Sequence, residues 1–201
     1  MRPGPDGAPT KRLHQRRTPL HLDQLMDRAA HIARTEGLAR MSMRRIAESL
    51  EIQAMSLYHY VPSKAALISL MADRSAAQAL SDSHHDTGPW NQQIVGLLEG
   101  LYRAGIDNSA LVAVLATLPW RVAPTETPDK DNAVTVLLAR LQAHLQQAPL
   151  SSGDTAAAYR ALLAIVTGFL AGAAASLAYD LSDELTRTLT AYLQGLSNPP
   201  P

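Results

Sequence analysis

The chain has 201 residues, enough for one or two domains and a substantial core. It has no cysteine, which excludes disulfides, thiolate metal sites and cysteine nucleophiles and fits a reducing compartment. The formal net charge of zero hides an asymmetry: residues 1–75 hold twelve Lys and Arg against seven Asp and Glu, and a basic first third suits a phosphate-facing module.

Residues 1–20 are rich in Pro, Gly and basic side chains without a helical period, and read as a disordered basic arm. Lys11, Arg12, Arg16 and Arg17 suit a minor groove, although a solvated tail explains the same composition. No continuous apolar run occurs there, so no signal peptide is expected. Residues 22–36 read as the first helix: Leu22, Leu25, Met26, Ala29, Ile32 and Ala33 recur at three- and four-residue steps, Asp23 suits the first turn, and Gly37 ends the pattern.

Residues 42–67 read as two short helices joined by a tight turn, then the start of a third. Ser42 is an N-cap, and Ile46, Ala47 and Leu50 share one face. Leu57 and Tyr60, three apart, give the next helix an apolar face. Pro62 interrupts that helix and Ser63 opens the fourth, where Ala66, Leu67, Leu70 and Met71 mark one face to about residue 80. Such a helix pair can stand on DNA with its second helix in the major groove.

Residues 81–89 form a break. His84 and His85, flanked by Asp82 and Asp86, suggest a metal site, but adjacent side chains diverge and no metal is expected. Beyond 90 the pattern is helical: 90–105 with Ile94, Leu97, Leu98, Leu101 and Tyr102, a short apolar helix at 109–118, a proline-rich loop at 119–129, and 130–147 with Val134, Leu137, Leu138, Leu141 and Leu145 inward. A long helix at 154–179 and a last one at 183–196 close the chain. Ala161 to Tyr179 is nineteen residues without a charge, long enough for a membrane span. A buried bundle helix explains it equally, and the soluble reading is preferred beside a DNA-binding head.

Arg44, Ile46-Ala47, Leu50, the Ser56-Leu57-Tyr58 triplet, Lys64 and Leu67 carry a resemblance. With that spacing, residues 22–72 resemble the DNA-binding domain of the tetracycline-repressor (TetR) family. Two departures stand out: Glu51 occupies a turn position where the family usually has Gly, and Tyr60 stands where it often has His. A turn at 51 calls for φ > 0, so strain is expected there.

The resemblance implies an all-α protein with an N-terminal three-helix helix-turn-helix domain at 21–68. A helical regulatory, ligand-binding and dimerisation domain follows at 69–201. It assigns Gln53, Ala54, Met55, Ser56, Tyr58 and His59 to the recognition helix. Gln53 suits adenine, Ala54 and Met55 suit a thymine methyl, and Ser56 or His59 suits base edges or phosphates. Tyr58 and Lys64 resemble backbone clamps, and Arg44 a base or phosphate contact. Core packing is the alternative for Tyr58 and Tyr60, and for Tyr60 the apolar pattern favours it.

Trp90, Tyr102, Trp120, His144, Tyr159 and Phe169 are candidates to line a ligand cavity, with ordinary core packing as the alternative. Residues 103–118 hold no His to match the metal ligand of the tetracycline-sensing members, so tetracycline–magnesium is not favoured. Gly168, Gly172 and Ala175 of the long helix, with Leu185, Leu189, Tyr192 and Leu196 of the last, are expected to form a four-helix homodimer seam. No phosphate-loop, His-Glu-x-x-His or Gly-x-Ser-x-Gly pattern occurs, and no cofactor is expected. The favoured reading is a cytoplasmic homodimeric repressor released from a pseudo-palindromic operator by a small molecule. A co-repressor-type regulator, a DNA-anchored protein-interaction module and a small enzyme with a vestigial head are the alternatives.

Overall fold

Leu25, Met26, Ala29, Ile32 and Ala33 form the buried face of α1 (Leu22–Glu36) in a computed structural model describing residues 21–82, 88–106, 108–117, 132–175 and 180–197. The expectations for the arm at 1–20, the His84-His85 loop, the proline-rich loop and Trp120 fall outside those residues, as does that for the Ala175 side chain. Gly37 ends α1 at φ +88°, a conformation that only glycine adopts without steric cost. Then come α2 (Met43–Ser49), α3 (Ala54–Leu57) and α4 (Lys64–Asp82), followed by α5 (Trp90–Gly105), α6 (Ser109–Thr117), α7 (Ala133–Leu145), α8 (Ser152–Ala175) and α9 (Ser182–Ser197). Among the described residues the protein is all-α.

Two apolar cores organise these helices. The head core gathers Leu25, Ile32, Met41, Ile46, Leu57 and Val61. The body core gathers the inward faces of α5, α7, α8 and α9. Helix α4 serves both, because Leu67 and Met71 pack in the head while Ala72, Ala76 and Ala79 pack in the body. Leu22 and Leu70, expected on the inner faces of α1 and α4, remain exposed.

The long helix starts at Ser152, earlier than its apolar period suggests. Ser151 and Asp154 form a reciprocal cap: the Ser151 Oγ accepts from the Asp154 N–H at 3.2 Å and donates to the Asp154 carboxylate at 2.6 Å. Helix α8 is long and apolar enough to cross a membrane, yet only 33% of its most apolar window is buried. Ala158, Leu162, Leu163, Val166, Leu170 and Ala173 face the body core. The opposite face, with Ala157, Ala164, Gly168 and Ala171, stays open, and a Cβ at Gly168 would meet nothing within 4 Å. The expectation of a helix buried all round is therefore corrected: α8 lies at the edge of the bundle.

The α9 stripe is corrected too. Leu185 and Leu189 have 0% exposure and pack with Leu193 into the core of the same chain, chiefly against α5. They offer no surface to a second copy. The reason is geometric: α5 presents Ile94, Leu97, Leu98 and Leu101 as a continuous apolar face, and α9 closes it. Tyr192 and Leu196 lie at the rim and are half-buried. Gly172 is also half-buried, with ordinary contact to Leu181.

Candidate nucleic-acid interface

Helix α2 begins because the Ser42 Oγ accepts the Arg45 N–H at 3.1 Å, a cap that stabilises by about 1 kcal/mol. Its chain then reverses tightly. The Leu50 N–H reaches the Ile46 carbonyl and the Ile52 N–H the Ala47 carbonyl, both at 3.1 Å. Glu51, between them, takes φ +55°, the only positive φ of a non-glycine among the described residues. A Cβ in that region costs about 1–2 kcal/mol. Ala47 is buried where α2 and α3 cross, and Leu57 and Val61 anchor the far side of α3.

Helix α3 is short. It runs from Ala54 to Leu57 with Gln53 as N-cap and Tyr58 as C-cap, and His59 lies in the turn beyond. The turn is closed by Tyr60 and Val61 N–H groups that both reach the Leu57 carbonyl, at 2.9 and 3.0 Å. Pro62 then forbids another helical turn. Gln53, Met55, Tyr58, His59 and Tyr60 all point to solvent, and Ala54 and Ser56 are half-buried. Tyr60 is 42% exposed, which corrects its expected place in the head core. Because the helix ends at Leu57, Tyr60 falls in the turn, off the inward face, and Val61 fills the core instead.

The cations around this surface are braced. Arg45 binds Glu36 through two nitrogens, at 2.6 and 3.2 Å, joining the end of α1 to α2. The hydrogen bond from Arg45 holds the Glu36 carboxyl below the usual carboxylate range and raises the guanidinium in turn. Nothing in the local sequence announces this pair, since it forms across the turn at residues 37–42. The Lys64 ammonium donates to the Leu38 carbonyl at 2.9 Å, so the start of α4 is tied to the α1–α2 connection. Two ammonium protons stay available for an outside acceptor. Arg44 is exposed and pairs with Glu48 one turn on, at 2.9 Å.

Helix α6 bridges head and body. Ala110 is fully buried in the head core, while Leu111 and Leu115 pack in the body core. Asn108 locks the junction. Its amide donates to the Met71 carbonyl at 2.9 Å and the Ser75 hydroxyl at 2.7 Å, and its oxygen accepts from the Ala110 N–H at 3.1 Å. An ion pair between Arg74 and Asp27, at 2.7 Å, adds a second tie between α4 and α1. These residues were not singled out by sequence, because an Asn beside a short apolar helix carries no motif.

The expected ligand-lining residues are dispersed. Tyr102 is buried, and its hydroxyl accepts from the Leu181 N–H at 3.1 Å, which pins the start of α9 to α5. Trp90, His144, Tyr159 and Phe169 are half-buried on α5, α7 and α8. Burial pushes the Tyr159 phenol up. Three clefts are lined by described residues: about 310 Å³ between α1, α4 and α5, about 260 Å³ between α5 and α9, and about 190 Å³ beside Tyr102 and Thr186. Of the five expected residues that are described, only Tyr102 touches any of these three clefts.

Residues 25–71 match the family described as bacterial regulatory proteins, tetR family. The HTH-type transcriptional repressor DrrR1 of Streptomyces coeruleorubidus is 38% identical over 103 residues. That match takes in 50% of this chain and only 34% of DrrR1, so it spans about a third of that protein. A crystal structure of BioQ with its natural double-stranded DNA operator superposes with a TM-score of 0.65 at 22% identity, covering 89% of this chain and 99% of that one. A TetR variant from Acinetobacter baumannii in complex with minocycline superposes with a TM-score of 0.64 at 19% identity, over 88% and 96% of the two chains. These two likenesses establish a shared fold over head and body. Residues 25–71 thus carry the segment that the tetR family of bacterial regulatory proteins is matched on, and the fold over head and body is the one these solved structures share.

Proposed function

We propose that the protein is a cytoplasmic transcriptional repressor, not an enzyme, that binds a pseudo-palindromic DNA operator as a homodimer and is released by a small molecule. The observation that carries this reading is the family-matched head, whose helix-turn-helix turns Gln53, Met55, Tyr58, His59 and Tyr60 outward together. In such a reader, phosphate contacts position the protein and base-edge contacts specify the sequence. Lys64, Tyr58 and Arg44 are the positioning groups in this proposal, and Gln53, Met55, Ser56 and His59 the reading groups, with Ala54 packed behind them.

The open small-residue face of α8 supports the homodimer. Ala164, Gly168 and Ala171 let a second helix approach closely, and a two-fold axis would bring the same face of a second copy against it. Tyr192 and Leu196, at the rim of α9, would flank that seam. BioQ binding its operator and the Acinetobacter TetR binding minocycline are facts about those proteins. On the same fold they support the DNA and effector parts of the proposal. A ligand would act by binding more tightly to a body whose heads are wrongly spaced for DNA. Helices α4 and α6 are the elements through which that spacing would change, since both are packed into both cores.

The test is fluorescence anisotropy with genomic fragments at several salt concentrations. The proposal expects some fragments to be held far more tightly than the rest, with log affinity falling linearly with log salt. Equal binding of every fragment at each salt would overturn it.

A further inference from the structure

We infer that the half-site is read through A·T base pairs, with Gln53 meeting an adenine, Met55 meeting a thymine methyl, and no guanine read by Arg or Lys from α3 or its exit. The inference rests on the DNA-binding reading above and adds the base composition of the target.

Met55 is 72% exposed, the most exposed of the large hydrophobic side chains among the described residues. A thioether held in water contributes little to the fold, and it gains only where it meets an apolar partner. On the floor of the major groove the apolar group is the thymine C5-methyl. Gln53 occupies the N-cap of α3, yet its side chain makes no cap bond there. Its amide keeps a donor and an acceptor for the matching pair on adenine, N7 and the N6 amino group.

Guanine is read chiefly by Arg or Lys through O6 and N7. Residues 50–62, which span the turn, α3 and its exit, contain neither. Of the cations that flank this stretch, Arg45 is held twice by Glu36, and Lys64 is tied by one proton to the Leu38 carbonyl at the start of α4, where its remaining protons suit a phosphate. Arg44 sits on α2 and is joined to Glu48, which also occupies a carboxylate suited to the cytosine amino group. What remains outward on α3 and its exit is an amide, a thioether, two phenols and an imidazole. Among these, the amide and the thioether are the groups matched to adenine and thymine.

The experiment selects duplexes from a library randomised across both half-sites, using the full chain. The expected core is rich in A·T. Replacing thymine by deoxyuridine in the selected duplex removes only the methyl group, and each contacted methyl should be worth about fourfold in affinity, the value of one buried methylene-sized group. Met55→Ala should bind the thymine and uridine duplexes equally, and Gln53→Ala should relax one A·T position by about tenfold. Both positions are exposed, so unchanged melting checks that the variants fold. A core dominated by G·C, or a wild-type protein indifferent to uridine, overturns the inference while leaving the DNA reading intact. Enrichment of no duplex at low salt overturns both.

Discussion

The head and the body are held together in different ways, and the difference explains why one announces its role and the other does not. In the head, short helices are set by local devices: the Ser42 cap, the strained Glu51 turn, and the exit at Pro62. Polar braces, Glu36 with Arg45 and Lys64 with the Leu38 carbonyl, then fix the helices to each other. In the body, long apolar helices meet through interchangeable Leu and Ala contacts. At Gly105 the packing is so close that a Cβ would lie 2.7 Å from the Leu111 side chain and 2.9 Å from that of Leu170. Local devices leave a residue-by-residue signature, whereas a leucine core leaves only a period. What matters functionally in the body is which faces remain uncovered, and that is decided by the whole arrangement.

The sharpest way to break this comparison is inside the body. Leu189→Glu puts a carboxylate into the seam between α9 and α5, at a site with 0% exposure. Leaving it ionised there costs several kcal/mol, so the variant should lose cooperative thermal unfolding by circular dichroism. A melt like that of the parent would place Leu189 on the surface and return it to the dimer seam.

Gly168→Glu tests the other side of the same domain. The position is open and helical, and a Cβ there meets nothing within 4 Å among the described residues. The fold should keep its melting temperature or gain slightly, since Gly is about 1 kcal/mol poorer than ordinary residues within a helix. Sedimentation should nonetheless show a monomer, because a two-fold seam would bring two such charges together. A dimer of unchanged stability would move the interface off α8.

Much of the head was legible before any coordinates. The Ser42 cap and the span of α1 follow from neighbouring residues, the positive φ at Glu51 follows from the resemblance, and each is found where expected. Tyr60 was misplaced because a three-residue spacing from Leu57 assumes that the helix continues, and it stops at Leu57. The α9 leucines were misplaced for a tertiary reason. Their period marks an apolar face correctly, but no sequence rule says whether that face meets α5 of the same chain or α9 of another. The Asn108 junction and the Glu36–Arg45 brace were invisible for the same reason, since their partners are distant in sequence or lie across a turn.

Within the head, Lys64→Ala should weaken binding to all duplexes by a similar factor and lower the salt slope by about one unit, as loss of one phosphate contact does. A changed sequence preference would instead mean that the lysine reads bases, or that freeing the Leu38 carbonyl reshapes the reading surface. A smaller effect is expected at the turn. Glu51→Gly relieves about 1–2 kcal/mol of steric strain at φ +55° and gives back about 0.5–1 kcal/mol in chain entropy. The net change should lie between neutral and about 1.5 kcal/mol more stable by chemical denaturation. A clear loss of stability would show that the Glu51 side chain contributes more than its backbone strain takes away.

The most direct test of the central claim is a hydroxyl-radical footprint of the purified protein on its preferred genomic fragment. Two protected patches should appear, related by an approximate two-fold axis and centred about one helical turn, or a small multiple of it, apart. That pattern requires two heads presented by one dimer. A single protected patch would contradict the paired-head account, and uniform protection along the fragment would contradict sequence-specific binding altogether.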